Sequence, residues 1–232
     1  MTTRIVLERL ENDAAAGTFE WHDHHVLVDR MGQSPQVAAG AQVAPTATVV
    51  GNVVIGERCV IDHGVVITSS GPPVRLGSGV VVMPHAIIRS VGGAHRPAFP
   101  VTIGADSLVG PAAVLAGCLI GPAVYVATGV MVFHGARVGE AARLGAGSIV
   151  HTGAVVPSRT RVGMREFAVS ARGGGDAVIT GDLDTARAHL AHADFFGGAF
   201  GLASEDLGAL HRRAVEQLRL EAADWDDLAT EP

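Results

Sequence analysis

The chain has 232 residues, of which 48% are hydrophobic but only 4% aromatic, with 30 glycines and a formal net charge of −6. All 17 cations are arginine, and the acidic balance argues against nucleic acid, which rewards a basic face. The two cysteines, Cys59 and Cys118, supply neither a disulfide framework nor a thiolate zinc knuckle.

Residues 1–36 are mixed in character and form an N-terminal extension. The opening MTTRIVLERLENDAAAG lacks the continuous apolar stretch of a signal peptide, and no run reaches membrane-spanning length. A cytoplasmic protein with no membrane partner is expected. His22, Asp23, His24 and His25 make a polar run with no completing metal framework.

From Val37 the chain reads in sixes, an aliphatic residue opening each block. Val37, Val43, Val49, Ile55, Ile61 and Ile67 form the first run; Leu76, Val82 and Ile88 follow a short insertion. Ile103, Val109 and Leu115 follow a longer one. A one-residue deletion resets the phase, and Ile120, Val126, Val132, Val138, Leu144, Val150, Val156 and Val162 continue it. The second place is often glycine (Gly56, Gly77, Gly104, Gly110, Gly121, Gly139, Gly145), as at a tight corner.

Three such blocks make one triangular coil, and coils stack at the spacing of paired strands, about 4.8 Å. Each opening aliphatic then points inward above its counterpart one coil earlier, contributing roughly 1.5–3 kcal/mol of burial. The fold predicted over 37–174 is an all-β solenoid, a left-handed parallel β-helix of hexapeptide repeats. Its short left-handed turns break the usual crossover rule.

The hexads stop near Gly175, and 175–232 is expected to be helical. Asp182–Phe195 and Ser204–Ala223 read as two helices, the second N-capped by Ser204 with acids in its first turn. Its apolar stripe is Leu207, Leu210, Ala214, Leu218 and Ala222. Such a helix lies along the solenoid and caps an end, or reaches across a subunit boundary.

The segments VAPTATVVGNVVIGERCV and PVTIGADSLVGPAAVLAGCLIG, with the terminal helix, resemble the γ-class carbonic anhydrase branch of hexapeptide proteins over roughly residues 40–172. The resemblance implies a homotrimer with zinc held by three histidines at a subunit interface. Those positions fall here on Arg89, Pro111 and Ala116; the polar pair before the first ligand falls on Met83 and Pro84. Proline and alanine offer zinc no donor and arginine brings a fixed cation. The expectation is a zinc-free protein, not a working carbonic anhydrase.

The insertion RSVGGAHRPAFPVTIG also resembles the acyltransferase branch of this fold, in which a protruding loop carries a catalytic histidine and acyl-CoA lies between subunits. That likeness makes His95 the candidate base, with Arg89 and Arg96 candidate binders of a carboxylate or phosphate. His63 and His85 are candidates for the same cleft. His134, also a candidate for substrate binding, is read as an exposed face residue. Two functions are carried forward: CoA-dependent acyl transfer to a small hydroxyl or amine acceptor, and a non-catalytic trimer serving as binding or assembly module. Cys59 and Cys118 are expected to point inward.

Overall fold

The computed structural model describes residues 26–93, 96–170, 175–191, 200–202 and 206–223. Within it the hexads form a left-handed parallel β-helix with three sheets, one for each face of the triangle. Two sheets have seven strands and the third has nine. The aliphatic residue opening each block pairs in register with its counterpart one coil on. On the third face that series is Val49, Ile67, Ile88, Leu115, Val132 and Val150.

These side chains fill the triangular interior. Ile67, Ile88, Ile103, Leu115 and Leu144 are all fully buried, and Cys59 and Cys118 point inward with them. Burial pushes both thiols up, Cys118 to about 12, which removes them as nucleophiles. With so few aromatics, the core is held by many similar aliphatic increments.

The glycines of the second place have a different reason from the one the sequence suggested. They do not carry the left-handed backbone; the fourth place of each block does. Arg58, His85, Asp106, Ala123 and Arg159 have φ between 53° and 61°, and Gly64, Gly79, Gly129 and Gly147 lie at 65–70°. The second-place glycines are instead where one coil touches the next. A Cβ on Gly104 would stand 2.3 Å from the backbone nitrogen of Pro122, and one on Gly139 2.4 Å from that of Ser158.

The third sheet also takes in Val26–Val28, ahead of the first hexad, paired in parallel with Thr48–Val50. At the far end Val178–Thr180 pairs antiparallel with Phe167–Val169 and covers that sheet's last edge. Helix α1, Leu183–Leu190, follows, N-capped by Asp182, whose carboxylate accepts from the Thr185 amide at 2.9 Å. The rest of the expected first helix, from residue 192, lies outside the described residues. Helix α2 is Leu207–Ala223, capped by Asp206, which accepts from the amides of Gly208 and Ala209. The expected cap, Ser204, lies outside the described residues. Of the expected stripe Leu210 and Ala214 are buried, but Leu218 is 45% exposed, beside the equally exposed Val215. The helix therefore seats on a narrower stripe than its sequence offers. No helix among the described residues is long and apolar enough to cross a membrane.

Candidate functional site

The insertion between the third and fourth coils is a β-hairpin: Val91–Gly93 runs antiparallel to Arg96–Phe99, with Val91 opposite Phe99 and Gly93 opposite Arg96. It leaves the corner where the third face turns into the first and folds back over that corner. His95, the base expected from sequence, lies outside the described residues, as do His22, His24 and His25.

Phe99 closes the hairpin onto the solenoid, its ring 5.0 Å from that of His134. The approach needs Gly117, one coil below His134: a Cβ there would lie 2.6 Å from the Phe99 Cβ and 3.1 Å from the His134 Cβ. Gly117 also takes a φ of +57°, favourable to glycine. His134 is consequently only 4% exposed, where its place in the repeat suggested an exposed face residue. The burial comes from the hairpin, which the hexad pattern does not encode.

Beside this covered corner runs a column on the outer side of the third face. Arg89 stands in register with Ala116, and one coil further Phe133 is followed by His151, their rings 5.6 Å apart. The Phe133 amide donates to the Val150 carbonyl at 2.9 Å, which fixes that register. Arg89 is exposed, Ala116 is buried as floor, and Phe133 and His151 are half-buried. Arg89 and His151 are three coils apart, about 14 Å along the axis. The result is an outward column, the candidate trough, with Arg89 at one end, Ala116 and Phe133 between, His151 at the other end and the hairpin beside it.

Arg96 is carried by the hairpin, its guanidinium 5.1 Å above the ring of Phe200, a cation–π contact. Gln217 of α2 donates to the Phe200 carbonyl at 3.4 Å, so the C-terminal region backs the hairpin.

The electrostatics of the corner are cationic. Burial holds the His134 imidazole below its ordinary pKa of 6.5, reinforced by His151, Arg89 and Arg96. Burial also lowers His151. Both rings are neutral near pH 7. In the unfolded chain each titrates near 6.5, in the folded chain lower, so between those values the unfolded state binds more protons. This part of the stability is complete above pH 6.5 and is lost as pH falls through the folded values. A thermal-melt series from pH 8 to pH 5 is therefore expected to show a falling midpoint, and His134→Gln with His151→Gln is expected to flatten it.

The other sequence candidates do not join this group within one chain. His63 and His85 stack in successive coils at the opposite corner, where the second face meets the third; the His85 amide donates to the His63 carbonyl at 3.0 Å. The His63 Nδ1 lies 2.9 Å from the Thr46 hydroxyl. His85 and Arg89 share one coil but are separated by the width of the face, about 13 Å at 3.3 Å per residue. Pro111 lies at that same far corner, and Arg89 and Ala116 at the near one. Arg, Pro and Ala at these three places do not fit a zinc ion, and no three His, Cys, Asp or Glu side chains converge among the described residues. His151, which the hexad count puts on the third face in the sixth coil, is the residue to which sequence reasoning gave no part in the site. Its column position, in register with Phe133 and in line with Arg89, was the available signal.

The stacked coils, in-register aliphatic columns and three-sheet section fit the fold of the hexapeptide-repeat left-handed β-helix superfamily. No family model matches the chain. It is similar to γ carbonic anhydrase 3 of Arabidopsis thaliana mitochondria, 29% identical over 106 residues, covering 45% of this chain and 41% of that protein. Mitochondrial γ carbonic anhydrase 2 of the same plant is 30% identical over 113 residues, 48% of this chain and again 41% of the relative. The matched region thus spans about two-fifths of these relatives' length. Among solved structures, a hexapeptide transferase family protein from Anaplasma phagocytophilum is 21% identical with a TM-score of 0.49, covering 83% of this chain and 94% of its own. UDP-N-acetylglucosamine O-acyltransferase from Moraxella catarrhalis is 18% identical with a TM-score of 0.48, covering 83% and 91%. Likenesses of that size carry no argument about chemistry.

Proposed function

We propose that the third-face trough binds an acyl-CoA and transfers its acyl group to a small hydroxyl or amine acceptor, without zinc. The observation that supports this reading is the alignment along one hairpin-covered corner of two guanidiniums with two imidazoles held neutral. Arg89 and Arg96 suit an anionic group of the substrate. The apolar floor suits an acyl or pantetheine chain. His151, half-buried and neutral, suits a proton acceptor; His134, sealed beneath Phe99, acts as a positioning group. In the reaction the acceptor O–H or N–H gives its proton to His151 and attacks the thioester carbonyl carbon. The C–S bond breaks, and the leaving thiolate takes the proton back. Thermal-shift titration with acetyl-CoA tests the binding. The expected result is a raised melting temperature that Arg89→Ala weakens by about tenfold in apparent affinity; no shift with the wild-type protein removes the proposal.

The same face suits assembly with further copies of the chain as a homotrimer. Next to the trough runs an outward apolar column in register: Val66, Ile87, Val114, Met131 and Ile149. Ile87 and Met131 are 40% and 36% exposed. A continuous apolar edge beside the trough would place a neighbouring chain along its rim, making the cleft inter-subunit. Ile87→Glu is expected to convert a trimer to monomers in analytical ultracentrifugation. A wild-type monomer would refute the assembly.

The non-catalytic alternative, a binding or assembly module, draws on the same column together with the arginine, proline and alanine at the implied ligand positions. It predicts unchanged behaviour of His151→Gln in every assay except the pH series.

A further inference from the structure

The second face carries a different feature from the third. Tyr125, Arg143 and Arg161 occupy successive coils in register, each pointing outward and exposed. Small residues at the preceding corner, Ala123 and Ala141, leave a depression of about 580 Å³ beside them, lined by all three.

In-register strands set like side chains one above another at about 4.8 Å, and like charges directly opposite are destabilising. Nothing within the described residues relieves the pair: no carboxylate lies within 4.0 Å of either guanidinium. The acid nearest in sequence, Glu140, turns to Arg159 at 3.7 Å instead. In a chain of net charge −6, the last coils thus concentrate cations, with Arg137, Arg143, Arg159, Arg161 and Arg165 within 29 positions.

We infer that this depression is a binding site for a phosphorylated nucleoside, its phosphates bridging Arg143 and Arg161 and its base lying on the Tyr125 ring. Two planar guanidiniums carried by strands one spacing apart offer forks of donors to successive phosphate oxygens. An anion between them turns their repulsion into shared attraction. The exposed tyrosine one coil below supplies a flat π face at the end of that row, and a base of any kind stacks on such a face. The parallel strands hold the three backbone positions on one line, so the site costs no loop ordering. This inference stands apart from acyl transfer in the trough, which lies on another face and uses none of these residues. The shared chemistry has two sources, a free nucleotide or the nucleotide end of coenzyme A.

The test is calorimetric titration of the full chain with ADP, and with coenzyme A as the second arm. ADP binding that falls by about tenfold or more in Arg143→Gln/Arg161→Gln is the expected result. Tyr125→Phe is expected to bind as the wild type does and Tyr125→Ala several-fold more weakly. Tighter binding of coenzyme A than of ADP, lost in the same double variant, assigns the site to the coenzyme. All three positions are exposed, so the variants fold, and the double variant is expected to melt no lower than the wild type. Absence of ADP and coenzyme A binding by the wild type, or undiminished binding by the double variant, overturns the inference. Acyl-CoA binding that survives the double variant but not Arg89→Ala leaves the trough reading intact.

Discussion

Replacing Gly104 with alanine is expected to destabilise the solenoid by about 3 kcal/mol or more, well beyond an ordinary glycine-to-alanine change. The added Cβ would lie 2.3 Å from the Pro122 backbone nitrogen, a distance that demands movement of main chain. The neighbouring coils cannot yield easily, because the Gly104 amide donates to the Ile120 carbonyl at 2.8 Å, part of the ladder joining coils. Opening that gap lengthens ladder bonds and parts the Ile103–Ile120 core contact. Stability in a stacked array is a sum of nearest-neighbour terms, so a defect in the middle splits the array. Gly129→Ala is the internal control. It has φ +66° with nothing within 4 Å of an added Cβ, so only backbone strain of about 1 kcal/mol is expected. Thermal melts by circular dichroism separate the two: Gly104→Ala should melt far lower, and equal losses would show that the close approach of the next coil does not select glycine at position 104.

Loss of the trough's proton acceptor is the second large effect. His151→Gln keeps size and polarity but has no basic nitrogen, and general-base contributions are typically about 10²–10⁴-fold. In a thiol-release assay with acetyl-CoA, kcat is expected to fall by about that factor while KM for the donor stays near its wild-type value. Arg89→Ala should show the opposite split, a raised KM with a smaller change in kcat. His95→Gln is the discriminating companion. If it abolishes turnover and His151→Gln does not, the proton acceptor belongs to the hairpin and the trough only binds.

The repeat made the fold readable to the level of register. A β-helix is almost entirely local in pattern: Ile55 reports its own inward position, and Leu76 the coil after it. The pairs Ile55 with Leu76 and Ile103 with Ile120 follow from counting sixes across the insertions. The candidate site was only partly legible. Arg89 and Arg96 were found because one sits at an implied ligand position and the other in an aperiodic insertion. The covering of His134 was not, since it depends on where a hairpin without a repeat folds back, and only the Phe99 contact fixes that. His151 is placed on the third face by the hexad count, yet it was given no part in the site for a related reason. Its significance lies in standing three coils above Arg89 on one column, a relation that becomes chemical only when the hairpin walls that column. The second-place glycines were seen but assigned to bends. Sequence marks where glycine is required, while telling a turn from a close approach takes the distance to the next coil.

The most direct measurement is hydrogen exchange with and without saturating acetyl-CoA, read by mass spectrometry. A ligand in the trough should slow exchange in peptides covering the Arg89 strand, the hairpin arms at Val91–Gly93 and Arg96–Phe99, and the corners at His134–Gly135 and His151–Gly153. Coils one and two should be unchanged. Protection confined to the second face around Tyr125 and Arg143, or no protection anywhere, would contradict acyl-CoA binding in the trough.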